Sequence, residues 1–476
     1  MPSGRIGADS VLSPPDMADA HSSTLLRDEI VTRTRSRPLR HLALQLLLLE
    51  GGVLAVVLVA LNKVGSEAVE VHSALRLIVG VATGIFAAGS LIEAIAAVRA
   101  PMVPPVTDQP LPRTTAIIPA YLPNEESIVL DTIAKHLRNG PPNHEVIVAY
   151  NTPTPMAIES ELDALAMREP RLIVLNVGGS QSKAENINAA IQVATGEVVG
   201  IFDCDHHPEP GSYERAWRWL ASGADVVQGR CAVRRSDNTF LSGLVAAEFE
   251  QMYTVGHPGR ARAFGFGLFG GSNGYWRAAA LKAVRFDPSA LTEDIDASVQ
   301  LLRIGGRIVA DPGIVSTELS PPSLRALCYQ RLRWAQGWFQ VARRHVAPVW
   351  SDDRMPLRQR LGVAWIFGAG ALTAWVAALL LPLTIEAWIS PVTASMATRI
   401  LFTIGSFAFL FQAGVAYRHA LPPTRRLRVF GAYVLATIVF YGYLRVALVR
   451  LAHIHEFAGR TEWRVTPRAR QARRAA

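Results

Sequence analysis

The sequence has little cysteine, and the cysteines that it has are scattered. Its 476 residues include 3 cysteines, Cys204, Cys231 and Cys328, with no Cys-x-x-Cys pair among them. This spacing supports neither a disulfide framework nor a cysteine-based zinc site, and it is consistent with a soluble part in the cytosol. No internal repeat is evident, which argues against a solenoid.

Charge is also scarce, because only 18% of the residues are charged whereas 50% are hydrophobic. With a mean hydropathy of +0.21, the chain is too apolar for a soluble enzyme of this size and fits a membrane protein with a soluble part. The formal net charge of +9 would suit nucleic acid. The arginines flank apolar segments, however, so we expect anchoring to a membrane and no nucleic-acid partner.

The order of polar, apolar and basic stretches predicts six segments along the chain. The first lacks the early apolar run of a secretory signal peptide. The segments are a disordered cytosolic tail at residues 1–40, a transmembrane hairpin at 41–98, a catalytic domain at 111–320, an amphipathic interfacial helix at 321–348, C-terminal transmembrane helices at 361–451 and a basic cytosolic tail at 452–476.

Five apolar runs are long enough to approach the ~20 residues of a membrane span. They are His41–Leu61, Ala74–Val98, Leu361–Ile389, Ile400–Tyr417 and Val429–Leu451. Basic flanks place both ends of the first pair in the cytosol. Basic flanks also place both ends of the last run, Val429–Leu451, in the cytosol, which conflicts with a single crossing. Either that run or Leu361–Ile389 therefore departs from one simple crossing, and the number of spans stays open. We expect a multi-pass protein of the cell membrane with its catalytic domain in the cytosol.

Two carboxylates interrupt the first apolar pair, Glu50 in its first run and Glu93 near the end of its second. Ionisable residues within a membrane are often functional, so the two could act as a pair. More commonly, each such residue faces a neighbouring helix or lies near an interface.

A Pro-rich linker precedes a region in which apolar runs alternate with helical patterns. This alternation predicts a parallel sheet covered by helices, with ligands at the carboxyl ends of the strands. The predicted strands are 115–119, 145–149, 171–177 and a run ending at Asp203, and the predicted helices are 127–137, 158–167, 183–194 and 295–302.

Asp203 and Asp205 follow the apolar run Val198–Phe202. On an extended segment, side chains two residues apart project the same way, and two carboxylates aimed at one point suit Mg²⁺ or Mn²⁺. An Asp-x-Asp is about as often a turn, since Asp is a favoured turn residue. His206 and His207 come next, either as further metal ligands or, more commonly after a turn, as solvated surface residues.

Two more motifs follow in order, Thr292-Glu293-Asp294 and Gln330-Arg331-Leu332-Arg333-Trp334. Together with Asp203-Cys204-Asp205, over roughly residues 114–346, they resemble the membrane-embedded family 2 glycosyltransferases, such as cellulose, chitin and hyaluronan synthases. The resemblance implies a GT-A nucleotide-sugar-binding domain of the α/β class, inserted between N-terminal and C-terminal transmembrane helices.

The resemblance also implies roles for individual residues. Asp205 would be the main contact of a divalent metal, with Asp203 helping to hold metal and nucleotide, and Asp294 would be the general base of an inverting transfer. Thr292–Asp294 would equally suit the start of a helix. The remaining donor and acceptor contacts implied are Lys183, Asn151, Gln330, Arg333 and Trp334.

The chain departs from the family pattern at two places. Asn151 stands where the family usually has Asp, and Leu122-Pro123 is inserted after the first strand, so donor identity is in doubt. Residues 462–468 resemble a gating segment of cellulose-synthase-like enzymes, which favours a cytosolic tail. Phe269–Gly274 resembles a small-residue loop beside the acceptor.

The predicted function is transfer of a sugar, most readily from a UDP-sugar, to a growing β-linked polysaccharide at a membrane. The alternative is a non-processive glycolipid glycosyltransferase with a lipid acceptor. A transporter or scaffold with a degenerate domain is less favoured, because the acidic motif positions are intact. A phosphatase usually has Asp-x-Asp-x-Thr, whereas residue 207 is His.

Overall fold

The computed structural model describes residues 39–63, 68–99, 101–234, 236, 238–379 and 396–460. The chain divides into two compact units, Met1–Leu48 and Leu49–Ala476. Of the first, the described part is the beginning of helix α1. The predicted tail at residues 1–40 lies almost wholly outside the described residues, and the predicted gating segment at 462–468 lies wholly outside them.

The helices of the described residues follow the apolar periodicity closely. In chain order they are α1 Leu39–Lys63, α2 Ala68–Ala97, α3 Leu122–Glu125, α4 Val129–Asn139, α5 Ala157–Arg168, α6 Lys183–Val193, α7 Ser212–Ala221, α8 Phe240–Gln251, α9 His257–Phe264, α10 Ala278–Ala283, α11 Glu293–Arg303, α12 Leu324–Trp350, α13 Leu357–Ala378, α14 Met396–His419 and α15 Leu427–Phe457. Short π-helical segments join α8 to α9 and lie within α13 and α15.

Eight strands form a single mixed sheet in the order β3-β2-β1-β4-β7-β6-β8-β5. They are β1 Thr114–Tyr121, β2 His144–Asn151, β3 Leu172–Asn176, β4 Val198–Ile201, β5 His207–Pro208, β6 Val226–Val233, β7 Gly274–Arg277 and β8 Ile308–Glu318. The first four pair in parallel, as the strand–helix alternation predicts. The second half departs from that prediction, because β7 is antiparallel to both β4 and β6.

The sheet is buried on both faces, which explains its nearly continuous apolar strands. Ile117 and Ile147 point to one face, where α6, α11 and part of α12 complete a core. Ile118 and Val148 point to the other, beneath α4, α5 and α7. This three-layer packing fixes the carboxyl ends of β1, β2 and β4 along one rim.

Three described helical segments are long and apolar enough to cross a membrane, judged by length and composition: Arg76–Ala97, Leu357–Ala378 and Leu427–Phe457. Helix α2 packs against α14 and α9, and a third core joins α2, α8, α14 and α15. The carboxylates Glu50 and Glu93 do not pair with each other. Glu50 pairs with Arg450 of α15, whereas Glu93 lies 3.3 Å from Arg260, so each faces another helix.

The segment before α15 and the end of α15 contact two other helices, α8 and α12. Before the helix, the Leu421 N–H donates to Glu250 of α8 at 3.1 Å. At its end, Gln336 and Gln340 of α12 donate to Glu456, at 3.1 and 2.9 Å. This arrangement suits the basic flanks at both ends of the run.

The predicted interfacial helix is observed as α12, and its apolar stripe packs within the protein. Leu327 belongs to the core beside α15, and Val341 to the core beneath the sheet. Ser323 caps the helix by accepting from the Ala326 N–H at 3.2 Å. Packing against the rest of the protein therefore accounts for much of the apolar stripe of α12.

The close approach of α12 to α11 gives a stability prediction. A Cβ added at Gly337 would lie 2.5 Å from the Thr292 side chain and 2.8 Å from its backbone nitrogen. Gly337→Ala should therefore destabilise the protein by about 1–3 kcal/mol through overpacking, although alanine is the better helix former. Thermal unfolding in detergent measures the change.

Gly414→Ala is the matched control, since Gly414 is also helical and a Cβ there meets nothing within 4 Å. A melting temperature lowered equally by both variants would mean that the Gly337–Thr292 contact does not limit packing.

Candidate active site

A cleft of about 140 Å³ opens at the rim of the sheet. Its walls come from the ends of β1, β2 and β8, the start of α6, the residues after β4, the loop before β7, the start of α11 and one face of α12. The lining residues include seven that the sequence predicts: Asn151, Lys183, Asp203, Asp294, Gln330, Arg333 and Trp334.

Lys183, the first residue of α6, holds these walls together. Its Nζ lies 2.5 Å from Asp203 Oδ1 and 3.8 Å from Glu293 Oε1, and it donates to the Gly271 carbonyl at 2.7 Å. Burial disfavours the charged ammonium, but the charges of Asp203, Glu293 and Asp294 outweigh burial and raise the Lys183 pKa. Lys183 is therefore a fixed cation, suited to an oxyanion.

Asp294 stands at the second position of α11, where carboxylates interact favourably with the helix dipole. Its Oδ1 accepts from the Ile295 N–H at 2.9 Å. Thr292 makes no side-chain capping bond, so helix capping explains only part of the motif. Burial and the charge of Glu293 raise the Asp294 pKa to about 7, against the opposing effects of Lys183 and Arg333.

Gly271 is required where the loop before β7 passes these charged groups. Its φ of +86° is in the left-handed region, and an added Cβ would lie 2.5 Å from Asp294 Oδ2. The loop also fixes Asp203, whose backbone N–H donates to Ser272 Oγ at 3.0 Å. The small-residue loop Phe269–Gly274 thus lies against the carboxylates of both Asp203 and Asp294.

Of Asp203 and Asp205, Asp203 is among the described residues that line the cleft, and the segment that carries them is not extended as expected. The chain turns here, and the His206 N–H donates to the Asp203 carbonyl at 2.9 Å. Asp203 consequently lines the cleft. Asp205 is fully buried behind it, with Oδ2 accepting from the Leu319 N–H at 3.0 Å.

The interpretation of His206 as a surface residue is wrong. Only 1% of His206 is exposed, and its ring bonds to Ser316 Oγ at 3.2 Å and Glu318 Oε2 at 3.0 Å. His207 is half-buried beside Asp131 and Thr132. Pairing of β5 with β8 explains the difference, because it packs this short segment into the sheet.

Asp205, His206 and Glu318 form a group whose potential ligand atoms all lie within 4.8 Å of one another. Two carboxylates and an imidazole are a reasonable donor set for a divalent cation. Glu318 also lines the cleft, so the group reaches the site from behind. Sequence reasoning missed Glu318, although its place at the carboxyl end of β8 is a usable signal.

Asn151 lies at the end of β2 and is held by two amide contacts. It donates to the Ser180 carbonyl at 2.9 Å and accepts from Asn186 at 2.8 Å. Asn186, three residues after Lys183 on α6, also lines the cleft. Nearby, the inserted Leu122-Pro123 forms the short helix α3, and Glu125 accepts from the Tyr121 N–H at 2.7 Å.

Three residues of the motif Gln330–Trp334 lie on one face of α12, as helical spacing predicts. Gln330, Arg333 and Trp334 all line the cleft. Arg333 donates to the Leu291 carbonyl at 3.0 Å, which ties α12 to the segment before α11. Trp334 stacks on Phe249 with ring centroids 6.4 Å apart.

The sequence is similar to known proteins over this same region. A profile of the family described as "Glycosyltransferase like family 2" matches residues 112–337. The cellulose synthase catalytic subunit (UDP-forming) of Xanthomonas axonopodis pv. citri is 30% identical over 185 residues, 36% of this chain and 24% of that protein. Glucomannan 4-beta-mannosyltransferase 2 of Arabidopsis thaliana is 27% identical over 199 residues, covering 40% and 37%.

The probable glycosyltransferase YdaM of Bacillus subtilis (strain 168) is 24% identical over 238 residues, 48% of this chain and 55% of that protein. The chain thus spans less than two thirds of the length of these three relatives.

A solved structure shares the fold. The mannosyltransferase PcManGT from Pyrobaculum calidifontis, in complex with GDP-Man and Mn²⁺, has a TM-score of 0.55 at 18% identity, covering 81% of this chain and 99% of that one. At this identity the likeness concerns the fold alone, which is of the GT-A type. Residues 112–337, which include every described residue that lines the cleft, therefore form a glycosyltransferase family 2-like domain, with relatives among cellulose synthases and glucomannan mannosyltransferases.

Proposed function

We propose that the protein transfers a sugar from a nucleotide-sugar donor, a UDP-sugar in the first instance, to a growing β-linked polysaccharide at a membrane. One observation carries the proposal: a fixed cation, Lys183, and a carboxyl group with a pKa of about 7, Asp294, face each other in one cleft. The cation suits the departing diphosphate, and the carboxylate suits the attacking hydroxyl.

In this mechanism the donor diphosphate lies beside Lys183, where the ammonium offsets the charge that develops on the leaving group. Asn151 and Asn186 offer amide groups to the nucleoside from the β2 end of the cleft. Asp294 accepts the proton of the acceptor hydroxyl as that oxygen attacks the anomeric carbon from the face opposite the diphosphate. The anomeric configuration inverts, so an α-linked donor gives a β-linked product.

A divalent cation, Mg²⁺ or Mn²⁺, fits the group formed by Asp205, His206 and Glu318, with Asp203 beside it. When bound, such an ion supplies positive charge for the diphosphate. Arg333 and Trp334 face the acceptor side, where an indole ring offers a stacking surface for a sugar. In this proposal the apolar helices anchor the protein in a membrane, with the catalytic domain in the cytosol, and the length and composition of three described helical segments support the anchoring.

The base assignment predicts a specific pH dependence. The free-enzyme kcat/KM should rise with pH to a plateau above about 7, because a base acts only when deprotonated. Asp294→Asn should lower kcat by on the order of 10²-fold or more while retaining donor binding. Initial rates at saturating donor, with donor affinity measured separately, test both statements.

Glu293→Gln is the companion variant, since the Glu293 charge raises the Asp294 pKa. It should move the acid limb of the profile to lower pH. If Asp294→Asn loses donor binding and activity together, Asp294 is a structural residue at the start of α11.

The metal assignment predicts that Asp205→Asn abolishes transfer and Mn²⁺ binding while the protein stays folded. Asparagine preserves the acceptor for the Leu319 N–H but removes the negative charge. Electron paramagnetic resonance titration with Mn²⁺ follows binding directly. Asp131→Asn, the same change at an exposed residue outside the cleft, is the control. Full activity of the wild type in excess chelator contradicts the assignment.

The acceptor class is decided by product length. Membranes containing the protein, supplied with labelled UDP-sugars and GDP-mannose in turn, should give a product that resists lipid extraction and is degraded by a β-glycanase. A single sugar on an extractable lipid would instead support the non-processive glycolipid alternative. No incorporation from any donor would contradict the proposed function.

A further inference from the structure

Arg331 lies behind the cleft wall and contacts two of the residues that form it. It is 8% exposed and is not among the described residues that line the cleft. Its Nη1 donates to Gln330 Oε1 at 3.1 Å, and its Cζ lies 4.3 Å from the centre of the Trp334 ring. Arg331, the second residue of the motif Gln330–Trp334, therefore contacts the residues at both ends of the motif.

A buried carboxylate fixes this guanidinium. Arg331 Nη2 donates to Glu248 Oε2 of α8 at 2.7 Å. The Tyr441 hydroxyl donates to the same oxygen at 2.8 Å, and Arg445 lies 3.3 Å from the other carboxylate oxygen. Tyr441 and Arg445 belong to α15. A continuous set of polar contacts thus connects α15, through Glu248 and Arg331, to the cleft.

Two planar groups, the Arg331 guanidinium and the Phe249 ring, lie against the Trp334 ring and restrain it. Phe249, next to Glu248 on α8, stacks on Trp334 at an interplanar angle of 30°, and its ring lies 5.5 Å from Arg331 Cζ. A guanidinium near an indole face is attracted by the ring, more strongly where water is excluded. A ring already held in place loses less freedom when a sugar stacks on it, which improves binding.

We propose that Arg331 is a positioning residue that holds the Trp334 ring and the Gln330 amide in the arrangement that binds the acceptor saccharide, with Glu248 and α15 holding Arg331. The inference deepens the proposed function and rests on it. It assigns Arg331 no contact with the donor or with the reacting atoms. Its loss should consequently affect acceptor use and leave donor binding unchanged.

Arg331→Lys separates ring positioning from charge. Lysine keeps a positive charge beside Glu248 but lacks the planar group that lies over Trp334. We expect the KM for a soluble β-1,4-linked glucose tetrasaccharide to rise about 3-fold to 10-fold, with donor affinity unchanged. In a Trp334→Ala background, Arg331→Lys should add no further increase, because residues that act through one another are non-additive.

Arg343→Lys is the matched control. Arg343 is on the same helix, lies 3.2 Å from the Glu456 carboxylate and 5.5 Å from the Phe457 ring centre, and is outside the cleft. Arg343→Lys should leave both the acceptor KM and the donor affinity unchanged. A rise in acceptor KM that is equal in the two variants, or that adds fully to Trp334→Ala, would overturn the inference.

A spectroscopic measurement tests the positioning without relying on turnover. With 5-fluorotryptophan incorporated, the ¹⁹F resonance missing from Trp334→Phe identifies the Trp334 ring. Arg331→Lys should shift or broaden that resonance, and Arg343→Lys should not. An unchanged resonance overturns the positioning role. A wild type that binds donor but transfers no sugar contradicts the proposed function instead, so the two failures are distinguishable.

Discussion

The site depends on one buried ammonium group. Asp203, Glu293 and Asp294 bring three carboxylates into a confined space, an arrangement whose desolvation and repulsion would be costly without a cation. Lys183 supplies that cation and also bonds to the Gly271 carbonyl. It thereby joins the residues after β4, the loop before β7 and the start of α11, which are far apart in sequence and meet only because the sheet places β7 next to β4.

The same charge balance couples the two chemical tasks of the cleft. Burial and Glu293 raise the Asp294 pKa, whereas Lys183 and Arg333 lower it, and the result is about 7. In the proposed mechanism, a donor diphosphate beside Lys183 would add negative charge and so favour the protonated form of Asp294. Asp205, His206 and Glu318 would hold the divalent cation that offsets that charge. Charge neutralisation at the diphosphate would therefore also help to keep the proposed base deprotonated.

Much of the first half of the domain could be predicted from sequence, because each parallel strand there is an apolar run followed by an amphipathic helix. Seven predicted residues do line one cleft. The reversal at β7, and hence the contact of Gly271 with Lys183, depends on strand pairing that periodicity does not encode. Glu318 joins His206 through the pairing of β5 with β8, across more than a hundred residues. The sequence around Arg331 gives no signal for the positioning role proposed for it, because that role depends on a contact with Glu248 on another helix.

The last apolar run shows what hydropathy alone leaves open. On α15 the exposed side chains Leu435, Ile438 and Val439 form an outward apolar surface, while Tyr433 and Tyr441 are buried against the protein. Its average hydropathy matches that of a membrane span, although one face serves a protein contact. The segment before α15 and the end of the helix also contact α8 and α12. The length and average hydropathy of the run describe the helix as a whole, so they do not distinguish the face that packs on the protein from the face that points outward.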